Sequence, residues 1–182
     1  VVEKWESGQP PSDGPRNETP ADWATGMFSG VVERAASSIE IVLHFVSFKL
    51  ICGHLREEIF SNLWRFSVAV QRINPILLEV DSCLGQMCQI LAPDMTSQLA
   101  HHICRALNAA VAHVLLDGGP VRWFSLSDVA DLKEDMESMA YMFYADGEGI
   151  PQEEIESIMR SSLDIVELMD EDTGPLVALL RN

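Results

Sequence analysis

Positive charge is scarce in this sequence. Twelve lysines and arginines stand against 28 aspartates and glutamates in 182 residues, and the formal net charge at pH 7 is -16. The deficit is greatest from residue 125 to residue 182, where fifteen acidic residues accompany three basic ones. Because like charges repel at a distance, nucleic-acid phosphates and anionic membranes are poor partners for such a surface. A basic protein partner fits better, although an ordinary solvated face of acidic helices also explains the charge.

Long apolar runs are also lacking. The longest apolar stretch, residues 39–52, is interrupted by Glu40, His44 and Lys49, whereas a transmembrane helix needs about 20 apolar residues. No basic leader with a small-residue cleavage site opens the chain. We therefore predict a cytoplasmic protein whose contact with any membrane is peripheral at most.

Cysteines are few, and their spacing is not that of a disulfide framework. All four lie within apolar helical patterns, which favours small buried thiols in a reducing compartment. They are Cys52, Cys83, Cys88 and Cys104.

Motifs for catalysis and phosphate binding are missing. Gly118 and Gly119 follow no strand and belong to no Gly-x-x-x-x-Gly-Lys loop. His101, His102 and Cys104 lack the ligand spacing of a zinc site. The chain has neither a nucleophile elbow nor a plausible cysteine and histidine pair. The sequence therefore predicts no catalytic residue, no metal and no cofactor, and hence no enzyme.

A calcium loop is suggested by Asp146-Gly147-Glu148-Gly149, but the spacing is wrong. If Asp146 were the first loop position, the sixth would be Pro151, where glycine is required, and the twelfth would be Ser157, where a bidentate glutamate is required. A corner between two helices explains these residues better.

Two acidic clusters leave an enzymatic alternative open, one at Asp131, Glu134 and Asp135 and the other at Asp170-Glu171-Asp172. Asp131 and Asp135 fall on the same face of a predicted helix, beside Glu134. Carboxylates so placed suit magnesium in a small all-α enzyme. The Asp-Asp-x-x-Asp pattern of isoprenoid-type enzymes is absent, however, and three lysines are too few to hold a diphosphate. A metal-dependent enzyme is thus the alternative to a non-catalytic module.

Apolar residues recur at helical spacing through most of the chain, and no strand-like alternation interrupts them. A densely apolar region from about residue 31 into the 60s, broken near Gly53, is predicted to lie centrally. A second stripe covers residues 73–91. A third helix begins with Asp94 as its cap and ends near residue 117.

Two further helices are predicted after residue 117. Ser125 and Asp128 have the layout of a capping box, and the apolar stripe after them reaches Phe143. Pro151 is predicted at the first position of the next helix, and a last helix is predicted over residues 176–180. We expect an all-α antiparallel bundle of about five to seven helices at residues 29–182, preceded by a flexible Pro/Gly-rich arm at residues 1–28.

Two turns in the sequence are distinctive. Each ends an apolar helix with glycine, which accepts a left-handed backbone, and continues into proline, which prevents the helix from extending. The first contains Asp117, Gly118, Gly119 and Pro120 and continues into Arg122-Trp123-Phe124. The second contains Asp146, Gly147, Gly149 and Pro151.

These two turns, with the acidic helix between them, resemble the C-terminal region of plant MUN-domain proteins, relatives of the UNC-thirteen vesicle-priming factors. The resemblance extends from about residue 39 to residue 182, where it corresponds to the second Munc-homology segment, and is strongest at residues 106–151. It implies a helical rod of the vesicle-tethering type that assists exocytosis and delivers membrane proteins to the plasma membrane. It also implies partners of the SNARE or exocyst type. A helical scaffold without a trafficking role remains open, as does the oligomeric state.

Two surfaces are candidates for binding such partners. One is the corner at Arg122, Trp123 and Phe124, although large aromatics after a helix end more often plug the end of a bundle. The other is an acidic face, and its residues are Glu134, Glu137, Glu153 and Glu154.

Overall fold

A computed structural model describes residues 20–171 of the chain. Within this range the structure is helical and contains no strand, so the predicted all-α class is confirmed. The chain divides into two compact units, Val1–Glu40 and Ile41–Asn182. The predicted arm at residues 1–28 and bundle at residues 29–182 stay a prediction, since residues 1–19 and 172–182 lie outside the described range. The helix predicted over residues 176–180 lies there as well.

The first helix is longer and more exposed than the sequence indicated. Helix α1 (Pro20–Phe48) contributes residues 20–40 to the first unit and 41–48 to the second. In the second unit Leu43 is buried, but Ile41, Phe45 and Phe48 are each more than half exposed. The prediction that the region from about residue 31 into the 60s lies centrally is therefore wrong for the exposed residues of α1, whereas Ile51, Leu55 and Ile59 in the same region are buried. Within residues 41–48, Leu43 and Ser47 are buried and Val46 packs against the core.

Within residues 20–171, two helical segments are long and apolar enough to cross a membrane, namely Phe28–His54 and Pro93–Asp117. The argument that the first apolar stretch is too short therefore fails, because the helix extends well beyond residues 39–52. Core helices of soluble proteins have the same length and composition, and half of the apolar window in Pro93–Asp117 is buried within the fold.

The second unit is built around a long central helix. After α1 the chain forms two short π-helical turns, Lys49–His54 and Glu58–Asn62, separated by a turn at Leu55, two residues after the predicted break. The α-helices that follow are α2 (Asn74–Cys88), α3 (Pro93–Asp117), α4 (Val129–Tyr144) and α5 (Gln152–Asp170). Helix α3 contacts both π-helical turns, α2 and α5, and α4 packs on α5 and α2. The core therefore centres on α3, which the sequence did not single out.

Local signals placed the later helices well, with small corrections at their starts. The capping box is confirmed, because the Ser125 N–H donates to Asp128 Oδ2 over 2.8 Å. A 3₁₀ turn, Leu126–Asp128, then leads into α4. Asp94 is not the cap of α3, since the helix begins one residue earlier at Pro93. Pro151 precedes the first residue of α5 instead of occupying it.

A buried polar pair fixes how α3 and α5 face each other. Asn108 and Ser162 are both buried, and the Ser162 hydroxyl donates to Asn108 Oδ1 over 2.6 Å. Asn108 Nδ2 donates to the Ile158 carbonyl over 2.8 Å. Sliding or rotating either helix would leave these buried groups without partners, which stabilises one register.

Candidate functional site

The first distinctive turn is shaped by two glycines for different reasons. Gly119 has a φ of +78°, which favours glycine. Gly118 has an ordinary right-handed backbone, but a Cβ there would overlap the Val114 carbonyl and the Arg122 side chain. The turn therefore depends on backbone freedom at one glycine and on close approach at the other.

Arg122 ties this turn to the end of the second π-helical turn. Its guanidinium donates to the carbonyls of Gly118 (2.7 Å), Leu63 (2.8 Å), Phe60 (3.0 Å) and Ile59 (3.2 Å). A cation suits carbonyl groups at helix C-termini. Burial, followed by the nearby charge of Arg65, lowers the pKa of Arg122. The structure thus gives Arg122 an internal role in holding this turn, while its selection as a partner-binding residue stays a prediction.

The two aromatics of the corner differ from each other. Phe124 is half-buried, with its ring against that of Trp64 at a centroid distance of 6.1 Å. Trp123 is 85% exposed, and its indole N–H donates to the Pro120 carbonyl over 2.6 Å. The expectation of a plug at the bundle end fits Phe124 and is wrong for Trp123. Trp123 is instead a large aromatic side chain held in one orientation at the surface.

The second distinctive turn has an unusual run of left-handed residues. Ala145, Asp146 and Gly147 have φ values of 48°, 54° and 92°. The Tyr141 hydroxyl donates to Asp146 Oδ1 over 2.8 Å, which raises the pKa of Tyr141. Gly149 is required by space, because a Cβ there would overlap the Phe143 carbonyl. The chain thus reverses tightly against the end of α4.

The four acidic candidates are all exposed, but two of them already have partners. Glu134 pairs with Arg72 at 2.9 Å, and Glu154 pairs with His101 at 2.8 Å. Glu137 and Glu153 lie on α4 and on the first turn of α5. The predicted acidic face therefore contains both structural pairs and open carboxylates.

A buried ionic cluster lies where the sequence suggested a metal site. Asp135 is fully buried and accepts hydrogen bonds from Arg72 Nε (2.6 Å), Trp64 Nε1 (2.7 Å) and the Ile73 N–H (3.3 Å). Arg72 also donates to Asp131, through a side-chain oxygen at 3.2 Å and the carbonyl at 3.1 Å. Asp131 and Asp135 share a face as predicted, but a guanidinium occupies it.

One guanidinium, that of Arg72, pairs with all three carboxylates of this cluster. Burial alone would lower the pKa of Arg72, but the hydrogen bonds and charges of Asp135 and Glu134 outweigh burial and raise it. Within residues 20–171, no group of three histidine, cysteine or acidic side chains is placed to hold a metal ion. Arg72 thus occupies the face of Asp131 and Asp135 on which the magnesium interpretation placed the ion.

An open groove was not predicted from the sequence. It has a volume of about 460 Å³ and lies between α2, the start of α3, and the end of α4 with the second distinctive turn. Its walls include Leu84, Leu91, Ala100, Met142 and Ile150. Each wall comes from a different part of the chain, so no local pattern signals the groove.

Comparisons with known proteins agree with the helical architecture. A family model described as "PATROL1-like, TPR repeats" matches residues 2–182. An Arabidopsis thaliana protein named "Protein unc-13 homolog" is 27% identical over 155 residues, which are 85% of this chain and 14% of that protein. The chain thus spans about one seventh of this relative's length. No solved structure is a significant match.

Proposed function

The chain belongs to the family of PATROL1-like TPR repeats, and on that premise we propose that it is a non-enzymatic protein-interaction module of a MUN-type protein. Its proposed task is to bind SNARE-type or exocyst-type proteins during vesicle tethering and exocytosis. The cargo would be membrane proteins delivered to the plasma membrane, and the site of action the cytoplasm beside the plasma membrane or endomembranes. The family match carries this proposal.

The corner at Trp123 supports a binding role. Tryptophan is enriched among the residues that dominate protein interfaces, because its large rigid ring buries much area at little entropic cost. Trp123 is held by its bond to Pro120, and the turn behind it is fixed by Arg122. A preorganised exposed aromatic loses little freedom when a partner covers it.

The acidic surface supports a basic partner. The chain has a net charge of -16, and Glu137 and Glu153 are exposed. Complementary charge accelerates association and selects among partners more than it adds affinity. We therefore expect Glu137 and Glu153 to affect the rate of association, and Trp123 to affect the lifetime of the complex.

Affinity capture from plant membrane extracts tests the proposal. The chain should retain SNARE or exocyst components and concentrate at the cell cortex or endomembranes in cells. Trp123→Ala should reduce capture, whereas Leu168→Ala, which removes another exposed apolar side chain, should not. Capture of no trafficking component, together with diffuse fluorescence, would leave only the scaffold interpretation.

A further inference from the structure

The groove between α2, α3 and α4 combines an apolar interior with acidic edges. Its two charged lining residues are Asp81 and Glu148, both acidic and exposed, and no lysine or arginine lines it. Asp81 lies on α2, and Glu148 lies on the turn after α4. Its volume of about 460 Å³ is typical of sites that take several apolar groups.

A glycine in the wall indicates that the groove is kept open. Gly85 lies inside α2, where glycine is less favourable than alanine. A Cβ at this position would meet nothing within 4 Å, and its φ is not left-handed. Neither packing nor backbone geometry in the free protein therefore requires glycine. Gly85 leaves room at the groove wall, which is useful where another chain approaches the helix backbone closely.

Side chains near Gly85 are suited to contact with a partner. Cys88 and Met142 also line the groove, and thioether and thiol groups adapt to apolar partners of varied shape. An amphipathic helix places its apolar anchors in such a groove and its polar residues at the edges. With acidic edges, the matching polar residues are lysine and arginine.

We propose that this groove binds an amphipathic helical segment of a partner protein, with apolar anchors flanked by basic residues. The inference rests on the proposed interaction function and adds a site and a class of ligand to it. The site is separate from the Trp123 corner, because the groove's lining includes no residue of the first distinctive turn.

A designed peptide tests the site directly. The probe is a fluorescent peptide of about 18 residues with leucines at helical spacing and lysines on the remaining face. Its control contains the same residues in an order that gives no apolar face, so both peptides carry the same charge. The probe should bind at least about tenfold more tightly than the control, and moderate salt should weaken its binding.

Variants at Gly85 locate the binding. Gly85→Trp fills open space and should weaken binding of the probe at least about tenfold. Gly85→Ala adds only one methyl group and should weaken binding by less than Gly85→Trp does. Cys88 is exposed in the wall, so bound probe should protect it from iodoacetamide. Alkylation of Cys52, measured by mass spectrometry in the same sample, serves as the internal reference.

Charge reversal provides a second test that does not depend on filling the groove. In the double variant Asp81→Arg with Glu148→Arg, both changes lie on the surface, so folding should be preserved. The lysine probe should bind more weakly to it, and a glutamate version of the probe should gain affinity. The inference is overturned if the lysine probe binds the parent and Gly85→Trp equally well. It is also overturned if a saturating concentration of the probe does not protect Cys88 from iodoacetamide.

The same variants separate this inference from the proposed function. If parent and Gly85→Trp capture the same trafficking proteins, the groove is not the binding site while the trafficking role stands. If the parent captures no trafficking protein but the lysine probe protects its Cys88, the trafficking proposal fails and the proposed binding site in the groove stands. If a small apolar dye protects Cys88 from iodoacetamide and the peptide does not, the proposed class of ligand is also overturned.

Discussion

Removal of Arg72 should strongly destabilise the fold. In Arg72→Met the carboxylate of Asp135 loses its bond to Nε, although Trp64 and Ile73 still donate to it. The Asp135 side chain is 0% exposed, so water cannot replace the lost guanidinium. Breaking a buried pair from one side costs about 3–5 kcal/mol. Because Arg72 is 21% exposed and two donors remain, we expect about 3 kcal/mol, at the lower end of that range.

Urea and thermal unfolding, followed by helical circular dichroism, measure this change. For a protein of this size, about 3 kcal/mol corresponds to a decrease of about 6–12 °C in Tm. Lys133→Met is the matched control, because Lys133 pairs with Asp170 at 2.7 Å but both side chains are about half exposed. Its effect on Tm should be small, since exposed pairs stabilise little.

A double-mutant cycle then tests whether the destabilisation comes from an unpaired buried charge. Asp135→Leu combined with Arg72→Met removes both charges, although the donors of Trp64 and Ile73 lose their acceptor. The double variant should be more stable than the sum of the single effects predicts, by at least about 1 kcal/mol. If Arg72→Met costs less than about 1 kcal/mol, or if the effects add, the cluster does not stabilise the fold as argued.

Three further predictions concern the turns and the thiols. Gly149→Ala should lower the free energy of unfolding, measured by chemical denaturation, by more than about 2 kcal/mol, because its Cβ would overlap the Phe143 carbonyl. Gly119→Ala should lower it by about 1 kcal/mol, because only the left-handed backbone opposes the change. Equal losses in the two variants would contradict the steric argument. Arg122→Lys should lower stability by about 2 kcal/mol, because one ammonium cannot reproduce bonds to four carbonyls, and a fully stable lysine variant would show that those bonds contribute little. At pH 8 the exposed Cys88 should react with a thiol reagent while the buried Cys104 does not, since burial raises the pKa of Cys104 from 9.0 to about 12. The folded state holds the thiol proton of Cys104 more tightly than the unfolded state does. The contribution of Cys104 to stability is therefore complete below pH 9.0 and is lost as the pH rises toward 12. Early alkylation of Cys104 in the native protein would contradict its burial.

Helix positions followed from the sequence because their signals are local. The stripe over residues 73–91 and the box at Ser125 and Asp128 each depend on residues within a few positions of one another, and both are present in the structure. The start of α3 differs by two residues, since its cap is Ala92 instead of Asp94, and the start of α5 differs by one. Proline is compatible with positions on either side of a helix boundary.

Burial and tertiary pairing could not be obtained in the same way. A dense apolar pattern shows that α1 has surface to cover but does not show which element covers it. Asp135 receives its hydrogen bonds from residues 62 to 71 positions away. One signal was available, since Asp135 falls within the apolar stripe of α4 beside Met136, and a buried carboxylate requires a donor. The identity of that donor depends on the fold.

Gly118 and Arg122 have a consequence for the comparison of related sequences. The Arg122 side chain and the Val114 carbonyl both occupy the space that a Cβ at Gly118 would fill. A lineage that replaces Gly118 should therefore also lose the arginine, whereas a lineage that loses the arginine should keep the glycine, because the backbone carbonyl remains. In distant members of the family, arginine at this position should therefore occur only together with the glycine four residues before it.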